Sequence, residues 1–278
     1  MKTPNNKILF LNLFLLIFSN CYFNPLVQPI VNPEVKEETN PFLALLGLGG
    51  GTNFFITGQI RDPNGVALEG LILVPSPTSF QSKSTSPPYT TDVGGRFYIP
   101  YQTGNFTFTV IRNGLSFFVL TLNVSSPSQI TSATSNAPPG LEVLNLGAIN
   151  ANEPPNFFEL VKVYILDGQM NEIPLHNTNL YTSLGSIHLT FNEPPAYVDS
   201  GDISWIQNSL IITPTPTVGY LALTISDNRI SLVGAEGFTF NTEFTINFTE
   251  NIKSASGKSL TPRRAKFCYE PSVSCVFF

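Results

Sequence analysis

Charge is scarce in this chain: Asp, Glu, Lys and Arg make up 12% of 278 residues, and acids outnumber bases 19 to 14. A formal net charge of -5 argues against nucleic acid as a partner, because that binding rests on Lys and Arg neutralising phosphates. Histidine is nearly missing, with His176 and His188 alone. No Gly-x-Ser-x-Gly nucleophile elbow accompanies them, so catalysis has little to build on. The three cysteines, Cys21, Cys268 and Cys275, lack the further Cys or His ligands that a structural zinc needs. "GLGGGT" at 47–52 lacks the Gly-Lys-Ser/Thr ending of a phosphate loop. No metal or cofactor is expected. No apolar run reaches the roughly 20 residues of a spanning helix; the N-terminal run, Ile8 to Phe18, is 11 residues long and contains Asn12.

That short run has another use. Lys2 and Lys7 precede it without an acidic residue, and Ser19, Asn20 and Cys21 follow it, which is the layout of a secretory signal peptide. Residues 1–20 are therefore expected to be cut off. The loss of Lys2 and Lys7 and of no acid moves the net charge from -5 to -7. Phe18-Ser19-Asn20-Cys21 resembles the relaxed lipobox of spirochaete lipoproteins. It departs from the usual pattern in having Phe18 for Leu and Asn20 for Gly or Ala. The resemblance implies that Cys21 becomes the first residue, carries a diacylglycerol thioether and is acylated on its amine. Two or more acyl chains give stable anchoring where one holds only marginally. The other reading is an ordinary signal peptide with an incidental cysteine.

Residues 21–52 read as a tether, with Pro25, Pro29, Pro33 and Pro41 breaking helix and sheet alike and Gly49 to Gly51 loosening the end. Beyond it the pattern has period two. "NFFITGQIRD", "LEGLILVPS", "GGRFYIPY", "NFTFTVI" and "LSFFVLTLNV" alternate with Gly, Asn and Pro turns, as the strands of a sandwich or barrel do. In "NFTFTVI" the alternation assigns Phe106, Phe108 and Val110 to a core face, and Thr107 and Thr109 to water. Asp62 to Gly65 and Thr91 to Phe97, a Thr-Asp-x-x-Gly-x-Phe match, resemble the carboxypeptidase regulatory-like, transthyretin-like family of β-sandwiches. The resemblance covers residues 53–150 apart from a Ser- and Pro-rich insertion at 76–90 and a polar stretch at 125–140, and implies an accessory module without a catalytic centre. Gly65 and Gly95 are expected to take positive φ in the turns.

"NANEPPNF" at 150–157 looks like a boundary. A second strand series runs from "FELVKVYILDG" to "AKFCYE". Leu189 to Pro194, Thr245 to Phe248 and Gly257 to Leu260 resemble the bacterial Ig-like family first described in surface-layer proteins, with Ser254 or Ser256 where that family has Asp in a turn. The expected architecture is all-β: two tandem sandwiches, 53–150 and 158–270, folding separately after the signal peptide and tether, with a tail at 271–278.

The remaining polar residues have modest readings. Asp62, Asn64, Asp92 and Asp167 stand beside turns, where Asx side chains cap backbone N–H groups. Calcium in those loops is the less favoured alternative. His188, between Ile187 and Leu189 in an alternating strand, is expected to face solvent or a satisfied edge. The sequons at Asn105, Asn123 and Asn247 carry no weight if the lipobox assigns this chain to a bacterium. Export would oxidise Cys268 and Cys275, and "CYEPSVSC" provides Pro271 to turn the chain between them. A disulfide there is expected, with two free thiols as the alternative. The function these features suggest is a non-catalytic lipoprotein held in the outer membrane through Cys21, displaying sandwich modules to an unidentified protein or glycan at the cell surface. A periplasmic or outer-membrane accessory subunit for carbohydrate handling or envelope assembly is the second class. An enzyme is the third, since triads are recognised by geometry and not by spacing.

Overall fold

The computed structural model describes residues 54–76, 88–151, 157–234 and 236–277. Cys21, the signal segment and the tether lie outside the described residues. All the described residues belong to one unit, Asn53–Phe278, and within it the strands form four sheets around two hydrophobic clusters.

The N-terminal strands are β1 (Phe54–Arg61), β2 (Ile72–Pro75), β3 (Tyr89–Thr90), β4 (Arg96–Pro100), β5 (Gly104–Arg112), β6 (Leu115–Ser126), β7 (Gln129–Ser135) and β8 (Glu142–Asn150). They make a three-stranded sheet, β4-β1-β8, facing a five-stranded one, β3-β2-β5-β6-β7. Ile56, Ile60, Phe97 and Ile99 from the first pack on Phe106, Phe108, Val110, Phe118, Leu120 and Leu122 from the second. Phe106, Phe108 and Val110 are buried while Thr107 and Thr109 are half-buried on the other face, where the two threonine hydroxyls at 107 and 121 lie 3.4 Å apart across the β5–β6 pair. The polar stretch at 125–140 contains a strand, β7, on the sheet edge. Its Ser and Thr side chains suit an edge with little core to cover, and Ile130 alone of its residues packs on the cluster.

The C-terminal strands are β9 (Leu160–Leu166), β10 (Glu172–Pro174), β11 (Thr178–Leu180) and β12 (Ser186–Phe191). Helix α1 (Ile203–Ser209) follows, then β13 (Leu210–Thr213), β14 (Ala222–Ser226), β15 (Arg229–Val233), β16 (Thr242–Phe248) and β17 (Arg263–Tyr269). A five-stranded sheet, β10-β9-β12-β15-β14, covers a four-stranded one, β11-β17-β16-β13. Val163, Ile165, Ile187, Leu189, Ile230 and Leu232 meet Phe244, Ile246, Phe248, Ala265 and Phe267 between them. Helix α1 starts where Asp202 Oδ1 accepts the Trp205 N–H at 2.8 Å, a side-chain N-cap. It is the only helix among the described residues, and none of them is long and apolar enough to cross a membrane.

His188 departs from expectation. It lies on β12, a central strand, and is 9% exposed. Its Nδ1 is 2.8 Å from Ser231 Oγ, its Nε2 3.2 Å from Ser186 Oγ, and its ring stacks on Tyr164 at 5.2 Å. The neighbouring strands cover it, and burial holds its pKa below the ordinary imidazole value.

Candidate functional site

Alternation along β1 sends Ile56, Gly58 and Ile60 to the N-terminal core and Thr57, Gln59 and Arg61 to the opposite face. That opposite face is not wet: Thr57, Gln59 and Arg61 are at most 2% exposed, as is Arg96 beside them on β4. The start of the C-terminal sandwich covers it. Glu159, also 2% exposed, receives Arg96 Nε at 2.5 Å and Thr261 Oγ1 at 2.8 Å on Oε1, and Gln59 Nε2 at 3.1 Å on Oε2. The Arg96 guanidinium is also stacked 3.7 Å from the centre of the Phe157 ring. Gln59 is fixed further by Gly94 O at 2.7 Å and by Asn145 Nδ2, which donates to its Oε1 at 3.1 Å. The carboxylate thus has three donors, which a buried charge requires.

Arg61 is used differently. Its Nη1 donates to Gly65 O at 2.7 Å and to Val161 O at 3.3 Å, and its Nη2 donates to Leu160 O. Its Nε has no partner. Burial, with Arg263 nearby, pushes its pKa down to about 9, so it stays charged at neutral pH. The Ala67 N–H donates to Val161 O at 2.8 Å, so the backbone itself is stitched across the seam.

A second contact lies alongside. Glu142, the first residue of β8, accepts from Arg263 Nη2 at the start of β17 and lies 3.8 Å from His176 Nε2. Asn177 Nδ2 donates to Pro63 O at 2.9 Å, and His176 Nδ1 accepts the Lys266 N–H at 3.2 Å. Burial and then Arg263 push the His176 pKa down to about 4, so the ring is neutral at pH 7 and Nδ1 is free to accept.

The turns that begin at Asp62 and Asp92 both abut this seam. Asp62 Oδ1 accepts the N–H groups of Asn64 and Val66 at 2.9 Å, and Asp92 Oδ1 accepts that of Arg96 at 2.9 Å. Gly65 (φ 74°) and Gly95 (φ 75°) are left-handed. A Cβ on Gly65 would come within 3.1 Å of His176 Cβ and of Arg263 Nη2, and one on Gly94 within 3.0 Å of Glu159 Cγ. Gly65 is thus at once a turn former and a point of close approach to the second sandwich, and Gly94 is another such point. Asp167 caps a third turn, accepting from Gln169 and Asn171 at 2.8 Å. In the fourth, buried Ser254 Oγ accepts the Lys258 N–H at 3.0 Å, the capping that Asp would supply.

Cys268 and Cys275 are joined in a disulfide with Cα atoms 6.3 Å apart. Glu243 lies beside it, the one convergence of three metal-ligating groups among the described residues, and both sulfurs are already consumed. Asn179 holds the tail, its Oδ1 accepting the Cys275 N–H at 2.9 Å and its Nδ2 donating to Cys275 O at 3.3 Å.

These features define an all-β protein of sandwich architecture whose distinctive chemistry is structural: a buried, fully donated carboxylate between two hydrophobic clusters. No family model matches the chain, and no curated protein matches it.

Proposed function

We propose that the chain is an exported lipoprotein, fixed in the outer membrane by acyl chains on Cys21, which displays its β-sandwiches at the cell surface as a non-catalytic binding or structural element. The observation that carries this reading is cysteine partnership. The chain has three cysteines, and Cys268 and Cys275 are bonded to each other. Cys21 is left over, three residues after the end of a short apolar run headed by Lys2 and Lys7. A disulfide suits an oxidising compartment, and an odd cysteine in an exported chain calls for a separate explanation. Lipid attachment supplies one. The seam adds support, since a tethered display element gains from presenting its two sandwiches as one body.

Intact-mass measurement on protein purified from envelopes tests the anchor. The expected result is a chain beginning at Cys21, heavier by a diacylglycerol and an acyl group, with no free thiol after unfolding without reductant. An unmodified Cys21, or an N-terminus elsewhere, refutes the anchor. Protease treatment of intact cells tests display: cleavage supports the cell surface, and protection until the envelope is opened refutes it.

A further inference from the structure

The chain has one tryptophan, and the fold does not spend it on the middle of a core. Trp205, on α1, is half-buried and packs against the C-terminal cluster. It also lines a cleft of about 410 Å³ with Tyr197, Asp199, Asp202, Asn251 and Lys253, within the size range of small-molecule sites. Tyr197 is 82% exposed. No packing accounts for holding so large a ring in water; its hydroxyl donates to Asp199 Oδ1 at 3.3 Å.

The walls are tied to one another. Asp202 Oδ1 accepts the Trp205 N–H and, at 2.7 Å, the Ser204 hydroxyl. The Ala196 N–H donates to Lys253 O at 2.8 Å, and Asn251 Nδ2 donates to Asn208 O at 3.0 Å, which joins the loop after β16 to the end of α1. Lys253 Nζ donates to Ser259 Oγ at 2.6 Å. These bonds fix much of the cleft's frame, which reduces the reordering that binding requires.

We propose that this cleft binds a neutral saccharide. The electron-rich faces of Trp and Tyr attract the C–H bonds on one face of a pyranose ring. The ring's hydroxyl periphery would meet carboxylates and an amide oxygen as acceptors, and an ammonium and an amide as donors, and hydrogen bonds to charged groups are the stronger ones. Asp199 and Asp202 outnumber Lys253 among the lining residues, so the balance of charge disfavours uronic acids and other anionic sugars. A purely apolar ligand would leave the same carboxylates without partners at a cost. The proposal names a ligand class for the display reading and rests on it only for its setting.

The lone tryptophan makes the test local. Full-length protein in detergent is titrated, following Trp205 emission, with cellotetraose, chitotetraose and mannotetraose, and with a glucuronate tetramer as the anionic control. At least one neutral tetramer is expected to give a saturable change with Kd of about 0.1–1 mM. Tyr197→Ala, at an exposed position, should keep the thermal midpoint and weaken that binding about tenfold. Trp205→Phe, followed by calorimetry, should weaken it as well. No saturable response to any neutral tetramer at about 10 mM, an unchanged Kd in Tyr197→Ala, or tighter binding of the glucuronate would each overturn the proposal. Because the intact mass of the same sample reports on Cys21 separately, the anchor and the saccharide site fail independently.

Discussion

Replacing Glu159 by Ala would leave the Arg96 guanidinium buried at 2% exposure without its counter-ion at 2.5 Å, and would remove acceptors from Gln59 Nε2 and Thr261 Oγ1. Gln59 keeps Gly94 O, so the dominant loss is the orphaned cation. Removing one member of a buried pair costs about 3 to 5 kcal/mol. With a urea slope of about 2 to 3 kcal/mol/M, the unfolding midpoint should fall by roughly 1 to 2.5 M. Replacing both charges, Arg96→Met with Glu159→Met, should recover more than half of that loss, because a buried pair pays desolvation that apolar side chains do not. Trp205 emission reports the C-terminal sandwich and far-UV circular dichroism reports both, so coincidence of the two curves measures coupling. Independent folding of 53–150 and 158–270 forecasts two separate transitions in the unaltered chain. The seam forecasts one, splitting in Glu159→Ala. A loss below about 1 kcal/mol, or curves that separate equally in both proteins, would refute the argument that Glu159 locks the halves together.

Two further outcomes follow from the same region. Gly95→Ala places a Cβ 2.5 Å from Ile60 O at φ 75° and should cost about 2 to 4 kcal/mol, whereas Gly70→Ala, with φ 72° and nothing within 4 Å, should cost only about 1 to 2 kcal/mol; equal losses in denaturant titrations would show that the close approach does not matter. His176 has its folded pKa pushed from 6.5 to about 4, so between those values the unfolded chain binds the proton and the folded one does not. Stability from this group is present above pH 6.5 and falls as pH drops toward 4, by up to about 1.4 kcal/mol per unit. His176→Gln should flatten that part of the pH–stability curve, and an unchanged slope would show that His176 does not set it.

The strands that alternate were legible because one core residue in two is a local signal. β5 shows this in Phe106, Phe108 and Val110, and β12 in Ile187 and Leu189. β7 hid because an edge strand with so little to bury loses its apolar half. α1 hid because seven residues span about two turns, too few for a periodic stripe to declare itself. Its capping residue, Asp202 before Ser204 and Trp205, was the signal available. The seam was the least legible part. Arg61 and Arg96 stand at polar places in alternating strands, where solvent is the natural assignment, and Glu159, which accepts from Arg96 and Gln59, is 63 residues from the first and 100 from the second. Nothing local distinguishes an arginine facing water from one facing a second sandwich.

That seam also bears on how such a chain can be recombined. A cassette cut at the Pro-rich stretch 150–157 looks portable, yet its donor would have to supply arginines at 61 and 96, and bare backbone at 65 and 94, where side chains would strike His176, Arg263 and Glu159. A foreign N-terminal half lacking them would abandon Glu159 as a buried anion and leave the carbonyls of Leu160 and Val161 without Arg61. The two halves therefore form a matched pair, and a shuffled chain keeps these contacts only where both lips of the seam travel together.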